Sequence, residues 1–149
     1  MGFVLNIDYL HDDCDVYACS AAVQSNGFAG WIENTELGKR QLQDFARSIR
    51  GFPLPQAEPV CLRTQTVWTD GRTEERLRIE IRPYNRTGTL HVRIGLSGNR
   101  DQLHEQAPGP RHSVSTSFLT DYAMLDRFAD AIDRILAQDS GEALLEEQK

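Results

Sequence analysis

Between residues 77 and 96 apolar side chains fall on every second position twice over: Leu77, Ile79 and Ile81, then Leu90, Val92, Ile94 and Leu96. Side chains return to the same face of a strand every two residues, so this stretch can be buried only as part of a sheet with one face against a core. Tyr84-Asn85-Arg86-Thr87-Gly88 between the runs is turn-forming, which makes the pair an antiparallel hairpin. The alternate positions predict a solvent face bearing Arg76, Arg78, Glu80, Arg82, His91 and Arg93.

The same reasoning places further strands. Phe3, Leu5, Ile7 and Tyr9 alternate with Val4, Asn6, Asp8 and Leu10, and after the turn-forming His11-Asp12-Asp13-Cys14-Asp15 a second strand covers residues 16–23. Asn26-Gly27 is a turn signal, and residues 28–32 form a short extended segment behind it. Residues 60–68 and 113–119 are strands by composition. Leu42, Phe45, Ala46 and Ile49 recur at helical spacing, predicting a helix over about 35–50 with N-cap candidates in Glu33-Asn34-Thr35-Glu36 and a stop at Gly51 and Pro53. Leu125, Phe128, Ala129, Ile132, Ile135 and Leu136 predict a final helix capped by Thr120 or Asp121. Burial of its large side chains contributes roughly 1.5–3 kcal/mol each before entropy is subtracted, so docking and not propensity holds it. Residues 97–112 contain Gly98, Pro108, Gly109 and Pro110 and are expected to be an exposed loop.

The expected fold is therefore α+β: an antiparallel sheet of about six strands with two helices packed on one face, in the order ββαββββα. The 149 residues suffice for one domain, residues 1–140, followed by a frayed acidic tail, residues 141–149. A chain of this size needs no disulfide or metal to hold its core. The sequence shows no internal repeat.

Charge and cysteine usage narrow the function. The net charge of −6 is unevenly spread: residues 61–112 carry nine Lys/Arg against six Asp/Glu, while the segments before and after are acidic. Phosphate affinity needs a concentrated positive face, so nucleic acid is not an expected partner; a basic protein is. Cys14, Cys19 and Cys61 are odd in number and lack metal or redox spacing, which suits buried reduced thiols. The N-terminus lacks the features of a signal peptide, Asn6 stands where a myristoylation motif wants Ser or Thr, and no run approaches the ~20 apolar residues of a membrane span. The expected location is the cytoplasm, with no membrane contact.

Catalytic patterns are missing. His11-Asp12-Asp13-Cys14 offers metal-binding atoms, but neighbouring strand residues point to opposite faces. Ser113, Ser115 and Ser117 alternate as a polar strand face and lack the Gly-x-Ser-x-Gly elbow, and Cys61 sits between Val60 and Leu62 as a structural residue. The glycines around 27–30 and 95–98 fit no phosphate-binding fingerprint. No catalytic residue, metal or cofactor is expected. What remains is a candidate partner-binding set: Arg76, Arg78, Arg82 and Arg93 on the sheet face, able to receive carboxylate or phosphate groups, with Trp31 and Trp68 as anchors. The competing reading is a solvated face neutralised by Glu80 and core tryptophans.

Asn26-Gly27-Phe28-Ala29-Gly30-Trp31, the helix with Leu42, Phe45 and Ile49, the hairpin from Leu77 to Leu96 and the terminal helix with Leu125 and Phe128 together resemble the small immunity proteins encoded beside bacterial polymorphic toxins. The resemblance covers about residues 3–137 and rests on hydrophobic and turn patterns, so it carries over no functional residue. It implies a cytosolic, non-catalytic protein that binds and blocks a toxin domain without a cofactor; an acidic surface fits a basic toxin such as a nuclease. The alternative is a small-ligand-binding domain or small hydrolase-like enzyme with a site near the 97–112 loop, using His104, His112 and a nearby acid. Homodimerisation by edge-strand pairing is open to any antiparallel sheet.

Overall fold

The alternating runs at 77–96 do form the centre of a sheet. The computed structural model describes residues 1–11, 15–67, 71, 73–99 and 111–149. Its elements follow in the order β1 (Gly2–His11), β2 (Val16–Ser25), β3 (Phe28–Gly38), α1 (Lys39–Ile49), β4 (Val60–Val67), β5 (Thr73–Pro83), β6 (Thr89–Asn99), β7 (Arg111–Asp121), α2 (Tyr122–Gln138) and β8 (Gly141–Glu146). The protein is α+β, as expected, but the strands make two antiparallel sheets of four, ordered β3-β2-β1-β8 and β4-β5-β6-β7, and not one sheet of six.

This order contains a repetition that the residues conceal. The chain runs βββαβ twice, β1–β2–β3–α1–β4 and then β5–β6–β7–α2–β8. In each half the strand after the helix leaves its own meander and pairs with the first strand of the other, β4 on β5 and β8 on β1. Both helices follow their strand with no loop between.

The inner faces of both sheets and the apolar stripes of both helices share one core. Phe128 of α2 meets Phe3 of β1 and Phe45 of α1 edge-on, with ring centroids 6.3 and 6.5 Å apart. One end of α2 is capped as its sequence suggests: the Asp121 carboxylate accepts from the Met124 N–H at 2.8 Å. At α1 the expected cap is displaced. Glu33-Asn34-Thr35-Glu36 belongs to β3, and Gly38 starts the helix without a side-chain cap.

The reason is a bulge. Cys19 pairs with Thr35 but Ala21 pairs with Ile32, so β3 holds one residue more than β2 at this point, and Asn34 takes a positive φ of 54° to accommodate it. Both Ile32 and Thr35 then face the core, which breaks the period-two signal and hides the second half of the strand. A second bulge sits where β4 meets β5. Thr64 pairs with Leu77 and Gln65 with Glu75, leaving Arg76 as the extra residue. The Leu77 N–H donates to Thr64 Oγ1 at 3.1 Å, and that hydroxyl is bonded at 2.8 Å to Thr35 Oγ1 of the other sheet. A buried polar bridge thereby ties the two sheets at their bulges.

The tail expected to fray is strand β8. Ala143 and Leu145 are fully buried, the Glu147 N–H donates to the Met1 carbonyl at 3.0 Å, and the Gln148 N–H donates to the Leu119 carbonyl at 2.7 Å. Of the expected 97–112 loop, 97–99 extend β6 and 111–112 begin β7; the remainder lies outside the described residues. No helix among the described residues is long and apolar enough to cross a membrane.

Candidate functional site

The shared core leaves each sheet one outer face, and the two faces differ in chemistry. On the β4-β5-β6-β7 sheet the register aligns Arg63, Arg78, Gly95 and Ser115 in one row, and Cys61, Glu80, Arg93 and Ser117 in the next. Arg82 and His91 share the row beyond. The predicted arginine face is real for Arg78, Arg82 and Arg93, which are exposed, and it gains Arg63.

Arg76 is the correction. Its bulge turns both Arg76 and Leu77 inward, so Arg76 is only 5% exposed, with Glu74 equally buried beside it. Its guanidinium lies where a side chain on Gly98 would be, an added Cβ there falling 2.9 Å from Nη2. Burial holds its pKa below the usual arginine value, and the Glu74 charge opposes that shift.

Two acids serve the exposed arginines. Arg78 Nε donates to Glu80 Oε1 at 2.6 Å and Nη1 reaches Glu75 at 3.5 Å; Arg82 lies 3.7 Å from Glu80 and Arg63 4.0 Å from Glu75. Arg93 has no ion-pair partner within 4 Å among the described residues. The face is thus net positive on a protein of net charge −6. His91 registers this: burial, then the charges of Arg82 and Arg93, hold its imidazole below the usual histidine range. Between Arg78, Arg93, Ser97, Ser113 and Ser115 the face dips into a trough of about 450 Å³, with Gly95 among its walls.

The outer face of the β3-β2-β1-β8 sheet is different. Trp31, Ala22, Val4 and Leu144 are register partners across all four strands, forming one apolar row. Trp31 is 72% exposed and Leu144 42%, over a broad concavity of about 980 Å³. On the two edge strands the outward neighbours of this row include Glu33 and Glu36 of β3 and Glu142 and Glu146 of β8, all exposed. The Asn26-Gly27 turn, with φ of 52° and 83°, reverses the chain beside it as its sequence signals.

Cys19 is buried and its thiol is pushed up to about 12 by desolvation and the Asp8 charge, so it is no nucleophile at neutral pH. Cys61, expected to be buried, is exposed because β4 turns Val60, Leu62 and Thr64 inward and Cys61 and Arg63 outward. Among the described residues no three His, Cys, Asp or Glu side chains are grouped to hold a metal. His112 is exposed on β7; His104, Trp68 and Cys14 lie outside the described residues.

Sequence reasoning missed the partners of Trp31. Val4 was visible as the outward residue of an alternating strand, but Leu144 lay in the supposed tail. Without β8 the apolar row has no fourth strand. Arg63 was signalled by the alternation of residues 60–64. Comparison with protein-family models, curated proteins and solved structures yields no match to this chain.

Proposed function

We propose that this chain is a non-catalytic protein-binding domain that grips a basic partner across the outer face of the β3-β2-β1-β8 sheet, as an immunity-type inhibitor would. The observation that carries this reading is Trp31, 72% exposed at the β3 end of an apolar row that crosses all four strands. Leaving a large aromatic in water forgoes its burial energy, and tryptophans set in such a position are the residues that dominate interface energetics when a partner covers them. Glu33 and Glu36 on one edge strand and Glu142 and Glu146 on the other supply the charge that draws in a cationic surface and sets its register. The buried Cys19, whose thiol is held protonated by desolvation, supports a binding role over a catalytic one.

The partner this reading implies is a toxin domain encoded beside the chain. Coexpression of the two should restore growth and yield a stable complex. Trp31→Asp should abolish both while leaving the thermal melt of the free protein unchanged within about 0.5 kcal/mol, as befits an exposed position. Lack of rescue by the wild-type chain, or full rescue by Trp31→Asp, would defeat the reading.

A further inference from the structure

The opposite sheet carries a feature that protein binding at Trp31 does not use. Gly95 lies in the interior of β6, a central strand, with its φ outside the left-handed region that favours glycine. A Cβ built there meets nothing nearer than the Cβ of Arg78 at 3.9 Å, an ordinary contact. Glycine weakens a strand interior, and nothing steric requires it at this position. Its effect is to leave the trough open.

Donors from three strands surround the dip: Arg78 on β5, Arg93 and Ser97 on β6, Ser113 and Ser115 on β7. Ser115 is the direct register partner of Gly95, and Ser113 that of Ser97. Arg78 is held in place by Glu80, whereas Arg93 has no carboxylate in ion-pair range among the described residues. We propose that this trough is a binding site for a phosphoryl group, with Arg93 and Arg78 as its cations and the serine hydroxyls as further donors. Donors spread over three strands suit a group with three terminal oxygens better than a planar carboxylate, which one arginine fork satisfies alone. Glu75 and Glu80, which line the same trough, repel a large polyanion and so favour a single phosphoryl group.

The test is titration of the full chain, followed by amide NMR and calorimetry, with glycerol 3-phosphate, with a peptide carrying one phosphoserine, and with citrate. Saturable shifts confined to the residues around Gly95 are expected with one of the two phosphoryl probes, and which one binds more tightly identifies the source as a small phosphate ester or a modified protein side chain. Arg93→Ala should weaken that binding by at least about tenfold, whereas Arg47→Ala, which removes an equal charge from an exposed site on α1, should not. Gly95→Val should abolish binding while raising the melting temperature, since a β-branched residue suits the strand and fills the dip. Tighter binding of citrate, no saturation below about 10 mM with any probe, or equal losses in Arg93→Ala and Arg47→Ala would overturn the proposal.

Discussion

Asp139 shows how much one residue can hold. It ends α2 in the left-handed region, at φ 58°, where Asp and Asn are tolerated better than most side chains. From there its carboxylate accepts from the Tyr17 hydroxyl at 2.7 Å and from Lys39 Nζ at 2.9 Å, joining α2 to β2 and to the start of α1. The hydrogen bonds from Lys39 and Tyr17 hold its pKa below the ordinary aspartate value. A carboxyl depressed in the folded state contributes stability that is present above its unfolded pKa, about 3.9, and disappears as pH falls through the folded value. Asp139→Asn keeps the backbone preference and removes the titration. Its melting temperature should therefore fall less steeply than that of the wild type between neutral pH and pH below about 4, and parallel curves would show that the contact adds nothing. Sequence could not have found this cluster, because its members are 100 and 122 residues apart. Arg76 was hidden for another reason. Its place in an alternating series predicted exposure, and a single inserted residue reversed it.

At the scale of elements, a long unbroken period was legible, and a change of phase or a short run was not. β5 beyond its bulge, β6, and the stripes of α1 and α2 follow one period throughout, and each was placed from its residues. β3 changes phase at Asn34, so only its first half could be read. β8 was missed because its alternation, Ala143 and Leu145 inward against Glu142, Leu144 and Glu146 outward, is short, interrupted by adjacent leucines and placed where chains usually fray. The structure makes β8 an essential wall of the core. It completes the ladder on β1 and packs against α2, and Leu145 is fully buried. Leu145→Ala should cost about 2–5 kcal/mol, a drop of roughly 5–15 °C in melting temperature for a domain of this size. Removing residues 141–149 should abolish the cooperative melt altogether. A truncated protein that melts within a few degrees of the full chain would return β8 to the status of a tail.

For the whole molecule the governing fact is the exchange of strands between its halves. Each βββαβ unit sends its last strand into the other sheet, so neither half can close its core alone. The first unit would expose the inner side of β1, with Phe3 and Leu5 uncovered by β8, and would leave Val60 and Leu62 of β4 without a sheet to join. The repetition escapes detection in the residues because a shared topology asks only for alternation and helical spacing, which very different side chains supply. It also explains how one sheet can present an arginine trough and the other an apolar row with acidic flanks: equivalent outer faces are free to diverge once their inner faces are committed to one core. The consequence can be measured by cutting the chain. Residues 1–67 and residues 73–149, produced separately, should each lack a cooperative monomeric transition. Mixed, they should form a 1:1 complex with the circular dichroism of the intact protein and a melting temperature that rises with concentration, because association and folding are then one event. If residues 1–67 alone melt cooperatively as a monomer, β4 is not bound to the other half by need, and the exchanged architecture is an accident of connection instead of the source of stability.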